Sequence, residues 1–345
     1  MKRIAIIGAG SWGTALAVVA ARAGHEVSIW SRNATVVDSI NREHLNSNYL
    51  TGTPILDSVR ATQEIPDAVD RAELVILAAP SHATRGLLGV ITKSLRPGMI
   101  IVSATKGIEI ETGRRISEIV SDVTGDGVRS RFVCLSGPSF AKEVVEKHPT
   151  AIVAASDDAE SARIVQAALS FQNLRIYTND DVVGTELGGS IKNVMAIAAG
   201  MVAGLGFGSN SVAALITRGL AEMTRLALGE GAKLETLMGL AGLGDLVLTC
   251  NGTLSRNRFV GQELGKGRTL EEIEAGMTEV AEGVKTTLAV NRLAERKGIE
   301  MPITSEVHAV LYERKPATDA VASLMSRPLK EEGNWYAGSE SSNEI

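Results

Sequence analysis

MKRIAIIGAGSWGTALAVVAARAGHEVSIWSRN, residues 1–33, decides the fold. Ile4–Ile7 is a short, largely β-branched run and reads as a strand. Gly8-Ala9-Gly10-Ser11-Trp12-Gly13 is GxGxxG. Thr14–Ala23 is rich in Ala and Val and stops at Gly24, a favourable helix end. Glu26–Trp30 reads as the next strand. A glycine triple set between strand, helix and strand in this way binds a dinucleotide. Gly8 permits the tight turn, Gly10 lets the backbone approach a pyrophosphate, and Gly13 lets the helix pack close to the strand. The amides at the helix N-terminus then face the anion.

Outward from this unit, Leu74–Ala79, Met99–Ser103, Arg131–Leu135 and Ala151–Ala155 are further short apolar runs bounded by turns. Continuous apolar strands separated by helices predict a parallel sheet covered on both faces. The character changes after Asn179-Asp180-Asp181. Val182 to about Leu228 has helical periodicity and many small residues, and Leu234–Met238, Arg256–Leu264, Leu270–Glu274, Lys285–Lys297 and Ile303–Tyr312 read as more helices. Asp180 before Val182, and Thr304-Ser305 before Glu306, are expected N-caps. The fold class is therefore α/β: an N-terminal Rossmann-type doubly wound sheet plus a mostly α-helical C-terminal domain. The expected domains are 1–181 for the dinucleotide, 182–330 for substrate and catalysis, and a polar tail at 331–345.

The chain has 345 residues, enough for about two domains. Apolar residues are 44% and charged residues 22%, an ordinary globular mix. Lys plus Arg is 35 against 40 for Asp plus Glu, and aromatics are 3%. That net charge of −5 and the scarcity of stacking platforms argue against a nucleic-acid partner. Cys134 and Cys250 lie far apart with no paired Cys/His spacing, so neither a disulfide framework nor a metal is expected. Cys134, within a strand-like run, reads as a small buried hydrophobe. The N-terminal apolar run is too short for a signal peptide, and Val194–Gly208 falls short of the ~20 residues of a transmembrane segment, so a cytoplasmic location is expected. The small-residue helices from Val182 could pack within the chain or across a homodimer.

The end of the second strand selects the nucleotide. It reads Ile29-Trp30-Ser31-Arg32-Asn33, without the acid that would accept from a ribose 2′-hydroxyl. Arg32 would instead fork a 2′-phosphate, which predicts NADP (NADPH) with NAD (NADH) left open. Ala79-Pro80-Ser81, Lys106 and Gly137-Pro138-Ser139 follow three other strands, where ligands bind in open α/β sheets. Gly188-Gly189-Ser190-Ile191-Lys192-Asn193 heads an apolar helix, and the glycine pair would let the backbone come close to a ligand. Lys192 could donate a proton to a forming alkoxide, or simply snorkel at a helix end. Asp245 and Thr249 are spaced i,i+4 and could both reach a lysine. Arg256 has the fork for a phosphate, and Asn257 can add a donor. In Val280-Ala281-Glu282-Gly283, Glu282 reads as a cofactor contact or an ordinary surface acid.

GAGSWGTALA, ATKGIE, LSGPSFAKEV, ELGGSIKNVMAIAAG, GLAGLGDLVLTC and SRNR, in this order, resemble bacterial NAD(P)-dependent glycerol-3-phosphate dehydrogenase from about residue 4 to 325. The resemblance implies reversible reduction of dihydroxyacetone phosphate to sn-glycerol 3-phosphate, a precursor of glycerophospholipids. It implies cofactor contacts at Ser11, Trp12, Arg32, Ala141, Val280 and Glu282. Lys106 would touch cofactor and substrate, Gly137 and Ser139 would lie in the substrate loop, and Lys192 would be catalytic. Asp245, Ser255, Arg256 and Asn257 would contact substrate, Arg256 also reaching the cofactor. The alternatives are a related dehydrogenase acting on a β-hydroxy acid or on ketopantoate, and a non-catalytic NADPH sensor.

Overall fold

The computed structural model describes residues 1–125, 131–277, 281–329 and 331–332. The chain divides into two compact units, Met1–Lys106 with Arg114–Glu186, and Gly107–Gly113 with Leu187–Ile345. The excursion 107–113 belongs with the second unit, where Arg296 Nη1 donates to the Thr112 carbonyl at 3.2 Å.

The first unit runs β1 (Arg3–Ile7), α1 (Ser11–Arg22), β2 (Glu26–Trp30), α2 (Ala34–Glu43), β3 (Val59–Thr62), α3 (Ile65–Val69), β4 (Leu74–Leu77) and α4 (Thr84–Ile91). It continues through β5 (Ile100–Ser103), α5 (Ile116–Thr124), β6 (Phe132–Ser136), α6 (Ala141–Val145), β7 (Thr150–Ala155), α7 (Ala159–Leu169) and β8 (Leu174–Asn179). The sheet order is β3-β2-β1-β4-β5-β6-β7-β8. β4, β5 and β6 are buried at every position, because helices cover both faces. That explains why they read as continuous apolar runs. The expected all-parallel sheet needs one correction, since β6 pairs antiparallel with β7. After β6 the chain turns back through residues 137–149 to run alongside it, whereas α7 crosses over and sets β8 parallel to β7. β3 and β8 had no apolar signature because they are the two edges, and their exposed positions carry Arg60, Arg175 and Tyr177.

After β8 come α8 (Val182–Gly204), α9 (Ser209–Gly229), α10 (Leu234–Met238), a π-turn (Leu240–Gly244), α11 (Asp245–Asn251), α12 (Arg256–Gly265), α13 (Leu270–Ala275), α14 (Glu282–Lys297), α15 (Pro302–Tyr312) and α16 (Ala317–Met325). α8 starts within the first unit's segment and continues into the second. With 23 residues it is longer than the apolar run that marked it, and long and apolar enough to cross a membrane, yet 89% of its most apolar window is buried in the protein. It crosses α12 backbone to backbone: a Cβ on Gly200 would stand 2.1 Å from the Arg258 carbonyl oxygen, and one on Gly261 1.9 Å from that of Ile197.

Two expected caps are corrected. Asp181, not Asp180, caps α8, its Oδ1 accepting from the Gly184 amide at 2.8 Å. Thr304 and Ser305 lie inside α15. The Ile303 and Thr304 amides instead donate to the carboxylate of Glu222 on α9, at 2.6 and 3.2 Å.

Candidate functional site

In the first unit, the glycine turn joins β1 to α1. Gly8 has φ +123°, and a Cβ there would stand 2.8 Å from the Ala78 backbone. A Cβ on Gly13 would stand 1.9 Å from the Gly8 oxygen. These two glycines answer to the protein's own packing. Around Gly10 nothing lies within 4 Å of the Cβ position, so the open side of the turn is where a ligand's backbone contact fits. Gly10 is the N-cap of α1 and provides no side-chain cap. That is the arrangement in which a bound anion completes the first helical turn. Ser11 and Trp12 open the helix, both partly buried, and Trp12 packs on the sheet core.

Asn46, which sequence reasoning missed, holds this turn from the loop after α2. Its Nδ2 donates to the Ala9 carbonyl at 2.9 Å and to Thr14 Oγ1 at 2.8 Å. Its Oδ1 accepts from the amides of Asn48 and Tyr49. A single Asn in a polar loop carries no sequence signal for such a role. Arg32 is exposed just past β2, between buried Ser31 and Asn33, whose side chain caps α2. Lys106 and the 137–139 loop come together on one carbonyl: Lys106 Nζ donates to the Gly137 oxygen at 3.2 Å and Ser139 Oγ at 3.1 Å. Ala141 begins α6, partly buried. The open Gly10 position, the uncapped α1 and the cation past β2 fit a phosphorylated dinucleotide.

In the second unit, Lys192 on α8 is 7% exposed and Asp245 on α11 is 1% exposed. Lys192 Nζ lies 3.0 Å from Asp245 Oδ1 and donates to Thr249 Oγ1 at 2.8 Å. Thr249 Oγ1 in turn donates to the Asp245 carbonyl at 2.6 Å, one helical turn back. A buried ammonium survives only with such partners. The neighbouring Cys250 is buried and desolvation pushes its thiol up to about 12, so it stays protonated. Cys134 is likewise buried and raised.

Ser255 caps α12, accepting from the Arg258 amide at 3.2 Å. Arg256 is the first residue of that helix and is exposed. Asn257 Nδ2 donates to Asn193 Oδ1 at 2.9 Å, and its Oδ1 accepts from the Gly283 amide at 2.9 Å. Asn193 was not singled out from the sequence. This chain of amides ties the residue after Lys192 to the first turn of α12 and to the first turn of α14, where Glu282 sits. Val280 lies outside the described residues. Among the described residues no cluster of three His, Cys, Asp or Glu side chains could hold a metal ion.

Residues 3–162 match the family of the NAD-dependent glycerol-3-phosphate dehydrogenase N-terminus, and residues 181–322 that of its C-terminus. A glycerol-3-phosphate dehydrogenase (NAD(P)+) of Koribacter versatilis is 53% identical over 95% of this chain and 98% of its own. The chain belongs to the glycerol-3-phosphate dehydrogenase family. The likeness spans both units. An equally named protein of Geobacter sulfurreducens is 49% identical over 96% of this chain and 99% of its own. The crystal structure of glycerol-3-phosphate dehydrogenase from Coxiella burnetii superposes with a TM-score of 0.90 at 40% identity, covering 94% of this chain and 99% of that one.

Proposed function

We propose that this chain reversibly reduces dihydroxyacetone phosphate to sn-glycerol 3-phosphate, using NADPH and also NADH. The observation that carries the reading is the buried Lys192 ammonium, held 3.0 Å from Asp245 Oδ1 and 2.8 Å from Thr249 Oγ1 in a chain of this family. The reduced nicotinamide, when bound, supplies hydride to C2 of the ketone. As the carbonyl oxygen gains negative charge, Lys192 Nζ stabilises it and gives it a proton, completing the alcohol. Lys192 is left neutral and regains its proton from water. Asp245 orients the amine, with Thr249 bridging the two.

Arg256 forks the substrate phosphate, and Asn257 adds the second N–H of its carboxamide. Ser255 shapes the same turn, and Lys106, with Gly137 and Ser139, adds a cation on the cofactor's side. Binding energy from the remote phosphate then serves to hold C2 in place. The Gly8–Gly13 turn would hold the pyrophosphate, with Ser11, Trp12 and Ala141 beside it, and Arg32 would pair with a 2′-phosphate. The product is the glycerol phosphate from which acyl transfer builds glycerophospholipids.

The test is loss of reduced-nicotinamide absorbance with a panel of substrates. Dihydroxyacetone phosphate should be turned over far faster than ketopantoate or the oxidised counterpart of a β-hydroxy acid. Preference for either of the latter, or NADPH binding without turnover on any of them, would overturn the assignment.

A further inference from the structure

Gly188 lies four residues before Lys192, one turn away on the same face of α8. Its φ is outside the left-handed range, so its backbone does not call for glycine. Glycine inside a helix is unfavourable by about 1 kcal/mol relative to alanine. The space around it supplies the reason. A Cβ at 188 would stand 2.6 Å from the Ala241 carbonyl oxygen, 3.2 Å from the Ala241 carbonyl carbon and 3.3 Å from Gly242 Cα. The glycine thus brings α8 close to protein backbone.

Ala241 stands four residues before Asp245, just as Gly188 stands four before Lys192. It sits in the π-turn Leu240–Gly244, where the Gly244 amide donates to the Gly239 carbonyl at 3.0 Å. Such a turn holds one residue more than an α-turn and so rotates the helix that follows. The two contacts are successive rungs: Gly188 against Ala241, then Lys192 against Asp245 and Thr249.

We infer that Gly188 and the π-turn form a positioning device for the catalytic lysine. The glycine sets how closely the two backbones approach, and the turn aims Asp245 at Lys192 Nζ. This rests on the role proposed above for Lys192. A methyl group at 188 pushes the turn away by about 0.8 Å to reach an ordinary 3.4 Å contact, carrying Asp245 with it. A misplacement of about 1 Å near the chemistry costs up to ~100-fold in rate.

The experiment compares the full-length wild type, Gly188→Ala, Lys192→Ala and a variant lacking Leu240, which would turn the π-turn into an α-turn. Functional sites are counted by NADPH titration, and turnover of dihydroxyacetone phosphate is expressed per site. Gly188→Ala should keep NADPH affinity, raise KM less than about 3-fold and lower kcat per site about 10- to 100-fold. A merely structural role would lower the number of sites and leave kcat per site unchanged. Removal of Leu240 should lower kcat per site by at least as much, and it decides the matter if Gly188→Ala yields too little folded protein. Wild-type kcat per site in either variant, with Lys192→Ala inactive, overturns the device alone. An inactive wild type, or an active Lys192→Ala, overturns the underlying assignment instead.

Discussion

Lys192 is a cation taken almost wholly out of water and held by Asp245 and Thr249. Removing one member of a buried pair strands the other. Lys192→Ala should therefore lower kcat by about 10³-fold, and chemical unfolding should show a loss of about 3–5 kcal/mol. NADPH affinity, measured by fluorescence titration, should stay within a factor of two or so, because the glycine turn is built separately in the first unit. Retained turnover would reject the role. At the other end of the reaction, Arg32→Ala should weaken NADPH binding about 10-fold and leave NADH nearly untouched, since a charge-assisted bond contributes ~1.5–3 kcal/mol. Equal effects on both Kd values would remove the 2′-phosphate argument. At this scale the sequence marked candidates where a residue type was conspicuous, an arginine in place of an acid and a lysine ahead of an uncharged run, although that lysine lies ten residues inside α8 and not at its head. Asn46 and Asn193 were not legible, because a carboxamide acquires its role only from the partners packing brings to it.

Elements reveal a different set of constraints. At the α8–α12 crossing, a Cβ on Gly261 would stand 1.9 Å from a backbone oxygen that cannot swing aside. Gly89, exposed inside α4, has nothing within 4 Å of its Cβ position. Thermal melts of the two alanine variants should move in opposite directions. Gly89→Ala gains up to ~1 kcal/mol from helix propensity, while Gly261→Ala loses about 1–3 kcal/mol or more from overpacking. A gain in Tm at both positions would show that the crossing is slack. Central strands were readable from the sequence because burial on both faces demands unbroken apolar runs. Edge strands β3 and β8 were not, since one open side admits Arg and Tyr. The start of α15 was misplaced for a related reason. Its cap is a carboxylate from α9, 81 residues before Ile303, and no local motif marks it.

For the molecule as a folding system, that carboxylate has a pH signature. Burial raises Glu222 from its ordinary value to about 7, against the opposing pull of the Ile303 and Thr304 amides. The folded state thus holds a proton that the unfolded chain has already released. Stability from this group is complete below about pH 4.5 and is lost as pH rises through about 7, a swing on the order of 3 kcal/mol. Buried Glu186 is raised in the same direction, by desolvation against its Arg115 and Ser117 partners. Urea unfolding between pH 5 and pH 8 should show stability falling with pH, and Glu222→Gln should flatten part of that slope. An unchanged slope in the variant would mean that Glu222 is ionised throughout. The fold class, a Rossmann-type sheet followed by helices, could be read in advance, since strand, turn and helix signals are local and glycine spacing encodes its own turn. Packing alone decided that Asn46 grips the glycine turn, that Asn257 links Asn193 to Gly283, and that Gly188 meets Ala241. Each of these joins groups far apart along the chain, and a contact of that kind has no energy until the backbone between them has folded.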